Sequence, residues 1–121
     1  YLARLARHEG VVALRPPAGV RDSLQYFVVR IDASKTGVGR DLLHVRLREF
    51  NIVTRKYFYP LCSQYNCYRH LPSAQAPELP VAHRLSSEVL CLPFFGSMSD
   101  DDVDRICDAI DWSLESTRRI A

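Results

Sequence analysis

The sequence predicts a small α/β domain of the α+β kind, in which helices cover one side of a three- to four-stranded, mainly antiparallel sheet. At 121 residues the chain fits a single domain, residues 1–121, with room for one hydrophobic core. Helix-type and strand-type patterns alternate along it in the order helix, strand, helix, strand, short helix, strand, helix. A composition of 47% apolar and 25% charged residues is ordinary for such a domain.

The first third of the chain predicts a short helix and two strands. Tyr1–Glu9 carries a short amphipathic pattern, and Gly10 follows it as a helix stop. Val11–Leu14 suits a short strand. Leu24–Ile31 is rich in β-branched and aromatic residues without clean alternation, which predicts a central strand covered on both faces.

A polar stretch and a helix come next. Asp32–Gly39 contains Lys-Thr-Gly but lacks the glycines that precede the lysine of a phosphate-binding loop, so we predict a solvated turn. Arg40–Asn51 has the spacing of an amphipathic helix, with Asn51 suited to its C-terminal cap or to the turn after it. His44 falls away from the apolar stripe and is expected at the surface. The stripe consists of Leu42, Leu43, Leu47 and Phe50.

The stretch Val53–Leu61, reading VTRKYFYPL, is the densest in aromatic and basic side chains. Its composition predicts a strand that ends at Pro60, because proline cannot donate to a β-ladder. Alternation would place Val53, Arg55, Tyr57 and Tyr59 on one face and Thr54, Lys56 and Phe58 on the other. The irregular stretch 61–79 that follows is of a length that is usually functional or covers another part of the domain.

The last third predicts a short helix, a strand and a long helix. Pro80–Ser87 fits about two helical turns with proline in the first, and Glu88–Phe95 is an apolar strand. Ser99 followed by three Asp residues is typical of a helix start. Trp112 lies nearly opposite the apolar face of this helix, either along the surface or against a neighbour outside the chain. The apolar face consists of Val103, Ile106, Cys107, Ile110 and Leu114.

The cysteines do not form a recognisable metal motif. Cys62, Cys67 and His70 give C-x4-C-x2-H, which lacks the C-x2-C knuckle and a matching second half. Cys91 and Cys107 lie in apolar patterns, where a free thiol behaves as a small hydrophobe. We expect reduced cysteines and no metal, with a disulfide or a zinc site as the alternatives.

Charge and hydropathy argue against two classes of partner. Lys and Arg outnumber Asp and Glu by 13 to 6 up to Ser87, but they are scattered singly and do not form a nucleic-acid-binding tract. No apolar run approaches the roughly 18 to 20 residues of a membrane span, and the first ten residues lack the apolar core of a secretory signal. We therefore expect no nucleic acid, no membrane and a cytoplasmic location. Because the chain does not begin with Met, it is expected to be part of a longer or processed polypeptide.

Two motifs carry a resemblance to a known family. N-I-V-T-R-K-Y-F-Y-P-L is followed by an irregular loop, L-P-V-A, S-E-V-L-C-L-P-F-F and S-x-x-D-V-D-R-I. This order resembles the C-terminal small domain of DegT-type nucleotide-sugar aminotransferases, which are pyridoxal-phosphate enzymes of the aspartate-aminotransferase fold. The resemblance covers about Tyr1 to Leu114. Many members carry P-L-H where this chain has Cys62 after Leu61, so a role for that histidine does not transfer.

The resemblance implies an enzyme whose reactive groups lie largely outside this chain. It implies pyridoxal 5'-phosphate as the cofactor, a keto-deoxysugar nucleotide and an amino-acid donor as substrates, and a homodimer. The cofactor lysine of the family belongs to the large domain, and neither Lys35 nor Lys56 has its sequence context. We therefore expect the 121-residue chain to hold no cofactor and to be inactive alone.

The same resemblance nominates a substrate-facing strand. Arg55 would offer a fork of donors to a phosphate or carboxylate, while Tyr57 and Tyr59 would stack on or hydrogen-bond to the sugar or base. The alternative is that Tyr57 and Phe58 fill the core and Arg55 is a surface residue. At the level of the whole chain, the competing hypothesis is a stand-alone α/β module whose basic face binds an anionic ligand.

Overall fold

The computed structural model describes residues 1–118, and within them four strands form an antiparallel sheet. The strands are β1 Val11–Ala13, β2 Phe27–Ile31, β3 Arg55–Lys56 and β4 Val89–Leu92. They lie in the order β1, β2, β4, β3, so β2 and β4 form the interior of the sheet. The predicted fold class and the central position of the second strand are confirmed.

The helices of the described residues match the predicted order, with one addition between β2 and the next helix. They are α1 Leu2–Leu5, α2 Ala33–Thr36, α3 Arg40–Glu49, α4 Pro80–Glu88 and α5 Asp100–Arg118. None of them is long and apolar enough to cross a membrane. Between β3 and α4 the chain is irregular apart from two short 3-10 turns, as the sequence predicted.

The hydrophobic core lies between one face of the sheet and helices α1, α3 and α5. Successive residues of a strand point to opposite faces, so Val29 and Ile31 of β2 face the core together with Leu90 and Leu92 of β4. The helices close this layer with Leu5, Leu43, Leu47, Ile106, Cys107, Ile110 and Leu114. Burial of Cys91 and Cys107 confirms that these thiols behave as small hydrophobes.

Helix α5 begins with a reciprocal cap at Ser99. The Ser99 hydroxyl accepts a hydrogen bond from the Asp102 backbone N–H at 3.1 Å, and the Asp102 carboxylate accepts from the Ser99 N–H at 3.1 Å. Two backbone donors that the helix itself cannot use are thereby satisfied. The hydrogen bonds from Ser99 also hold the pKa of Asp102 below its usual range. The predicted helix start is confirmed.

The N-terminal segment is tied to α5 by charged side chains. Arg4 pairs with Asp104 and Asp108, and His8 Nε2 lies 2.5 Å from an Asp111 oxygen. Tyr1 adds a hydrogen bond from its hydroxyl to the Pro93 carbonyl at 2.8 Å, and burial raises the pKa of that hydroxyl well above its usual range.

Arg40 is a buried charge that the sequence analysis missed. It is only 2% exposed, and its guanidinium donates to the carbonyls of Ser86 at 2.7 Å and Val89 at 2.9 Å. Its Nε lies 2.9 Å from Asp41 Oδ1 but without the alignment of a hydrogen bond. The side chain therefore fastens the start of α3 to the junction between α4 and β4.

The strand predicted over Val53–Leu61 is much shorter than expected. Only Arg55 and Lys56 pair with β4, opposite Cys91 and Leu90. In this antiparallel register Tyr57 would lie opposite Val89, the first residue of β4, and Phe58 opposite Glu88, the last residue of α4. The strand could therefore extend by no more than one residue in that direction. The peptide bonds Tyr57–Phe58 and Tyr59–Pro60 beyond it are cis.

The stretch Asp32–Gly39 is not a solvated turn. The Asp32 side chain caps α2 by accepting from the Ser34 N–H at 3.1 Å, and Gly37 ends this helix with φ at 72°. Thr36 and Val38 are 3% and 0% exposed. The loop therefore contributes to the core, which its polar composition concealed.

Further single-residue predictions are also wrong, among them the place of Leu42 in the apolar stripe, since Leu42 is 45% exposed. Gly10 does not cap α1, which ends at Leu5 with Ala6 as its C-cap. Gly10 is instead closely packed, because an added Cβ there would lie 2.6 Å from Thr36 Cγ2. His44 is partly buried, with Nδ1 2.7 Å from the Thr54 hydroxyl. Phe50 is 42% exposed because it lies beyond the last turn of α3.

Candidate functional site

A groove of about 890 Å³ opens at the C-terminal end of β4. It is lined by β3, by the residues that follow α3 and β4, and by one side of α5. The groove is rimmed by aromatic rings, and the ring of Trp112 meets that of Phe50 edge-on at 5.3 Å between centroids. Trp112 therefore packs against a neighbour within the chain, while 51% of the residue stays exposed.

Arg55 is the cation that β3 contributes to this groove. It is exposed, and its register partner Cys91 forms part of the lining. Burial raises the pKa of the Cys91 thiol, so the groove presents a neutral thiol beside the guanidinium. Arg105 of α5 adds a second cation, while Asp102 and Asp108 add carboxylates on the same helix. An anionic ligand is therefore best received at the β3 side.

Tyr57 lies in a smaller, neighbouring cavity of about 250 Å³. Its ring is 5.2 Å from that of Tyr26 and 4.1 Å from that of Phe58. Tyr26 lines both this cavity and the groove that contains Arg55. Tyr26 thus lies between the two predicted substrate residues, Arg55 and Tyr57. It was not among the site residues predicted from the sequence.

Tyr59 lies apart from the other two predicted residues. Its ring has Lys56 Nζ 5.3 Å and the Arg40 guanidinium carbon 5.7 Å from its centroid. Lys56 in turn pairs with Asp41 at 2.5 Å. Cations over a tyrosine face are attracted by its ring quadrupole. Tyr59 lines neither cavity and is 57% exposed, so the structure does not bring it into a common site with Arg55 and Tyr57.

The described residues do not fit a pyridoxal cofactor. A Schiff base needs a lysine amine that can lose its proton, but both lysines of the chain are ion-paired. Lys35 Nζ lies 2.5 Å from Glu9, a contact that raises the pKa of Lys35, and Lys56 is held by Asp41. Neither lysine lines the groove. Among residues 1–118, no group of His, Cys, Asp and Glu side chains is arranged to hold a metal ion.

Solved structures define the class of protein to which this fold belongs. DesI, crystallised in the presence of its TDP-sugar product, matches 98% of the chain with a TM-score of 0.83 and 31% identity. The aminotransferase TlmJ from Streptoalloteichus hindustanus matches 98% with a TM-score of 0.79 and 31% identity. In each case the match covers 30% of the other chain. The fold is the antiparallel small-domain fold of pyridoxal-phosphate aminotransferases.

Sequence comparison then gives the family. Residues 1–111 match the model of the DegT/DnrJ/EryC1/StrS aminotransferase family, and the chain belongs to it. A dTDP-4-amino-4,6-dideoxy-D-glucose transaminase from Escherichia coli is 34% identical over 80% of this chain. The spore coat polysaccharide biosynthesis protein SpsC of Bacillus subtilis is 32% identical over 74%. The chain spans about a quarter of the length of these relatives, 26% and 23% respectively.

Proposed function

We propose that residues 1–121 form the C-terminal small domain of a longer, pyridoxal-phosphate-dependent sugar aminotransferase. The complete enzyme transfers an amino group from an amino acid to the keto-deoxysugar of a dTDP-linked nucleotide. Support comes from the family match over residues 1–111 together with relatives named for transamination of dTDP-linked deoxysugars. Family membership favours this function over a stand-alone module for an anionic ligand.

The chemistry of the cofactor belongs to residues outside this chain. Pyridoxal phosphate, when bound, supplies the electron sink that transamination needs. Since the ion-paired lysines do not fit that group, the small domain is proposed to supply substrate contacts only. The enzyme is proposed to be a cytoplasmic homodimer, as its resemblance to the family implies.

The exposed position of Arg55 is the observation on which the substrate part of the proposal rests. Arg55 offers an exposed guanidinium at the edge of an otherwise largely apolar and aromatic groove. Such a fork can donate two parallel hydrogen bonds to the oxygens of a diphosphate.

The test is kinetic and uses the complete enzyme that contains this chain. Arg55→Ala should raise the KM for the nucleotide sugar at least about tenfold, the equivalent of roughly 1.4 kcal/mol. Arg84→Ala removes an exposed arginine of α4 that lines neither cavity and serves as the matched control. An unchanged KM for Arg55→Ala removes this residue from the substrate site, and absence of transamination by the wild-type enzyme refutes the function.

The proposed incompleteness of residues 1–121 has a separate test. The isolated chain mixed with pyridoxal phosphate should show no borohydride-reducible adduct on Lys56 or Lys35. A stoichiometric adduct on either residue would overturn the assignment of the cofactor to another part of the protein.

A further inference from the structure

The position of Tyr26 links two cavities that each hold one predicted substrate residue. It immediately precedes β2, and 38% of the residue is exposed. One side of it lines the groove of about 890 Å³ that contains Arg55, and it also lines the cavity of about 250 Å³ that contains Tyr57. A ligand that reaches both Arg55 and Tyr57 must therefore pass over Tyr26.

The two cavities differ in the chemistry they offer. The Arg55 groove has apolar walls, with Arg55 on its β3 side and Arg105 and two carboxylates on α5, so its β3 side suits an anion attached to an apolar or aromatic body. The smaller cavity offers the tilted rings of Tyr26 and Tyr57, with Arg15 and Asp22 at its wall. Aromatic faces with polar groups beside them suit a ring that has both an apolar side and hydroxyl groups.

We propose that Tyr26 is a substrate-contacting residue and that the nucleotide sugar lies across it. Its diphosphate lies at Arg55, and its deoxysugar ring lies against the Tyr26–Tyr57 pair. This inference rests on the proposed function, because it takes the nucleotide sugar as the ligand. It assigns a role to a residue that the VTRKYFYPL stretch does not include, and it separates the site into a phosphate part and a sugar part.

Two simple ligands distinguish the phosphate part of the site from the sugar part. Free dTDP can occupy the Arg55 part only, whereas dTDP-glucose can occupy both. Isothermal titration calorimetry with the complete enzyme measures each affinity without relying on turnover. In the wild type, dTDP-glucose should bind about tenfold more tightly than dTDP because of the added stacking and ring burial.

The variants then make distinct predictions. Tyr26→Ala should abolish the preference for dTDP-glucose while leaving dTDP affinity within about twofold, and Tyr57→Ala should do the same. Tyr26→Phe retains the ring face and should keep most of the preference. Arg55→Ala should weaken both ligands and leave their ratio intact. Tyr68→Ala, an exposed tyrosine that lines neither cavity, is the matched control.

The outcomes distinguish this inference from the function on which it rests. If Tyr26→Ala and Tyr57→Ala keep the full preference for dTDP-glucose, the sugar does not lie on this pair and the inference is wrong while the function stands. If the wild-type enzyme binds neither ligand, both are wrong. The amino-donor half-reaction does not use the nucleotide sugar. If Tyr26→Ala slowed that half-reaction as much as it weakened dTDP-glucose binding, the effect would be a general structural one and the proposed contact would be wrong.

Discussion

Replacement of Arg40 should reveal how much of the fold depends on one buried guanidinium. Arg40→Ala removes the donors to the Ser86 and Val89 carbonyls, at 2.7 and 2.9 Å, and leaves both acceptors near the junction of α4 and β4. Hydrogen bonds from a charged donor contribute roughly 1.5–3 kcal/mol each. Some of that loss is offset because water can enter the space vacated by the side chain. We expect a decrease in the free energy of unfolding of about 3 kcal/mol.

Equilibrium unfolding in urea measures this change directly. Trp112 is the single tryptophan of the chain and is half exposed in the folded state, so its fluorescence reports the transition. The denaturant dependence of the unfolding free energy should stay constant, since the surface exposed on unfolding is nearly the same. Arg40→Lys keeps a positive charge but loses the planar fork, and it should give an intermediate loss.

A matched control separates burial from helix position. Arg48 lies on the same helix and is exposed, so Arg48→Ala should change the unfolding free energy by no more than about 0.5 kcal/mol. A decrease in the free energy of unfolding of less than about 1 kcal/mol for Arg40→Ala would refute the reasoning, because two buried carbonyls that lose their donor should destabilise the fold by more than that.

Three further predictions follow from other contacts. Gly10→Ala should destabilise the fold by about 1–3 kcal/mol in the same urea assay, because the new Cβ would lie 2.6 Å from Thr36 Cγ2 and 3.0 Å from the Asp32 carbonyl; no loss would contradict this close packing. Ser99→Ala should cost about 1 kcal/mol through the lost cap of α5, and Ser99→Asp should restore most of it, whereas equal stability of all three chains would refute the cap. Burial, followed by the positive charge of Lys56, lowers the pKa of His44 in the folded state. As the pH falls, the unfolded state is therefore protonated at this residue before the folded state. The contribution of His44 to the free energy of unfolding should be complete above about pH 6.5 and decline below it. His44→Asn should remove that part of the pH dependence of unfolding, and identical profiles would exclude His44 as its source.

Helices were predictable where a local signal marks the boundary. Ser99 with its three aspartates placed the start of α5, and Pro80 placed the start of α4, because both act through backbone groups of the first turn. The apolar spacing of Leu43 and Leu47 gave the buried side of α3. These features depend on residues within one or two turns of one another.

Strand length was not predictable because it depends on a distant partner. The aromatic composition of Tyr57–Tyr59 favours a strand, yet in the register of β3 with β4 Phe58 and Tyr59 would lie opposite α4, which offers no strand to pair with. In the same way, the burial of Thr36 and Val38 depends on tertiary packing that a polar local pattern does not reveal. Strand propensity mainly reports fit to a half-buried pleated surface.

The candidate site was predictable in part. Arg55 and Tyr57 lie in adjoining cavities, and their substrate contacts, like that of Tyr59, stay predictions. Tyr26 precedes them by about thirty residues, and antiparallel pairing of β2 and β3 with β4 is what brings it beside them. An aromatic residue within the predicted interior strand Leu24–Ile31 is the signal that would have pointed to it.

The brevity of β3 has a consequence for colloidal behaviour. An outer strand offers its free N–H and C=O groups as a template on which another molecule can add a strand, and long apolar outer strands promote aggregation. Here that strand is two residues long, and both of them, Arg55 and Lys56, are positively charged. A neighbouring copy would find almost no backbone to pair with and would meet like charge. This edge can therefore protect a chain with many exposed aromatic rings from growth into intermolecular sheets.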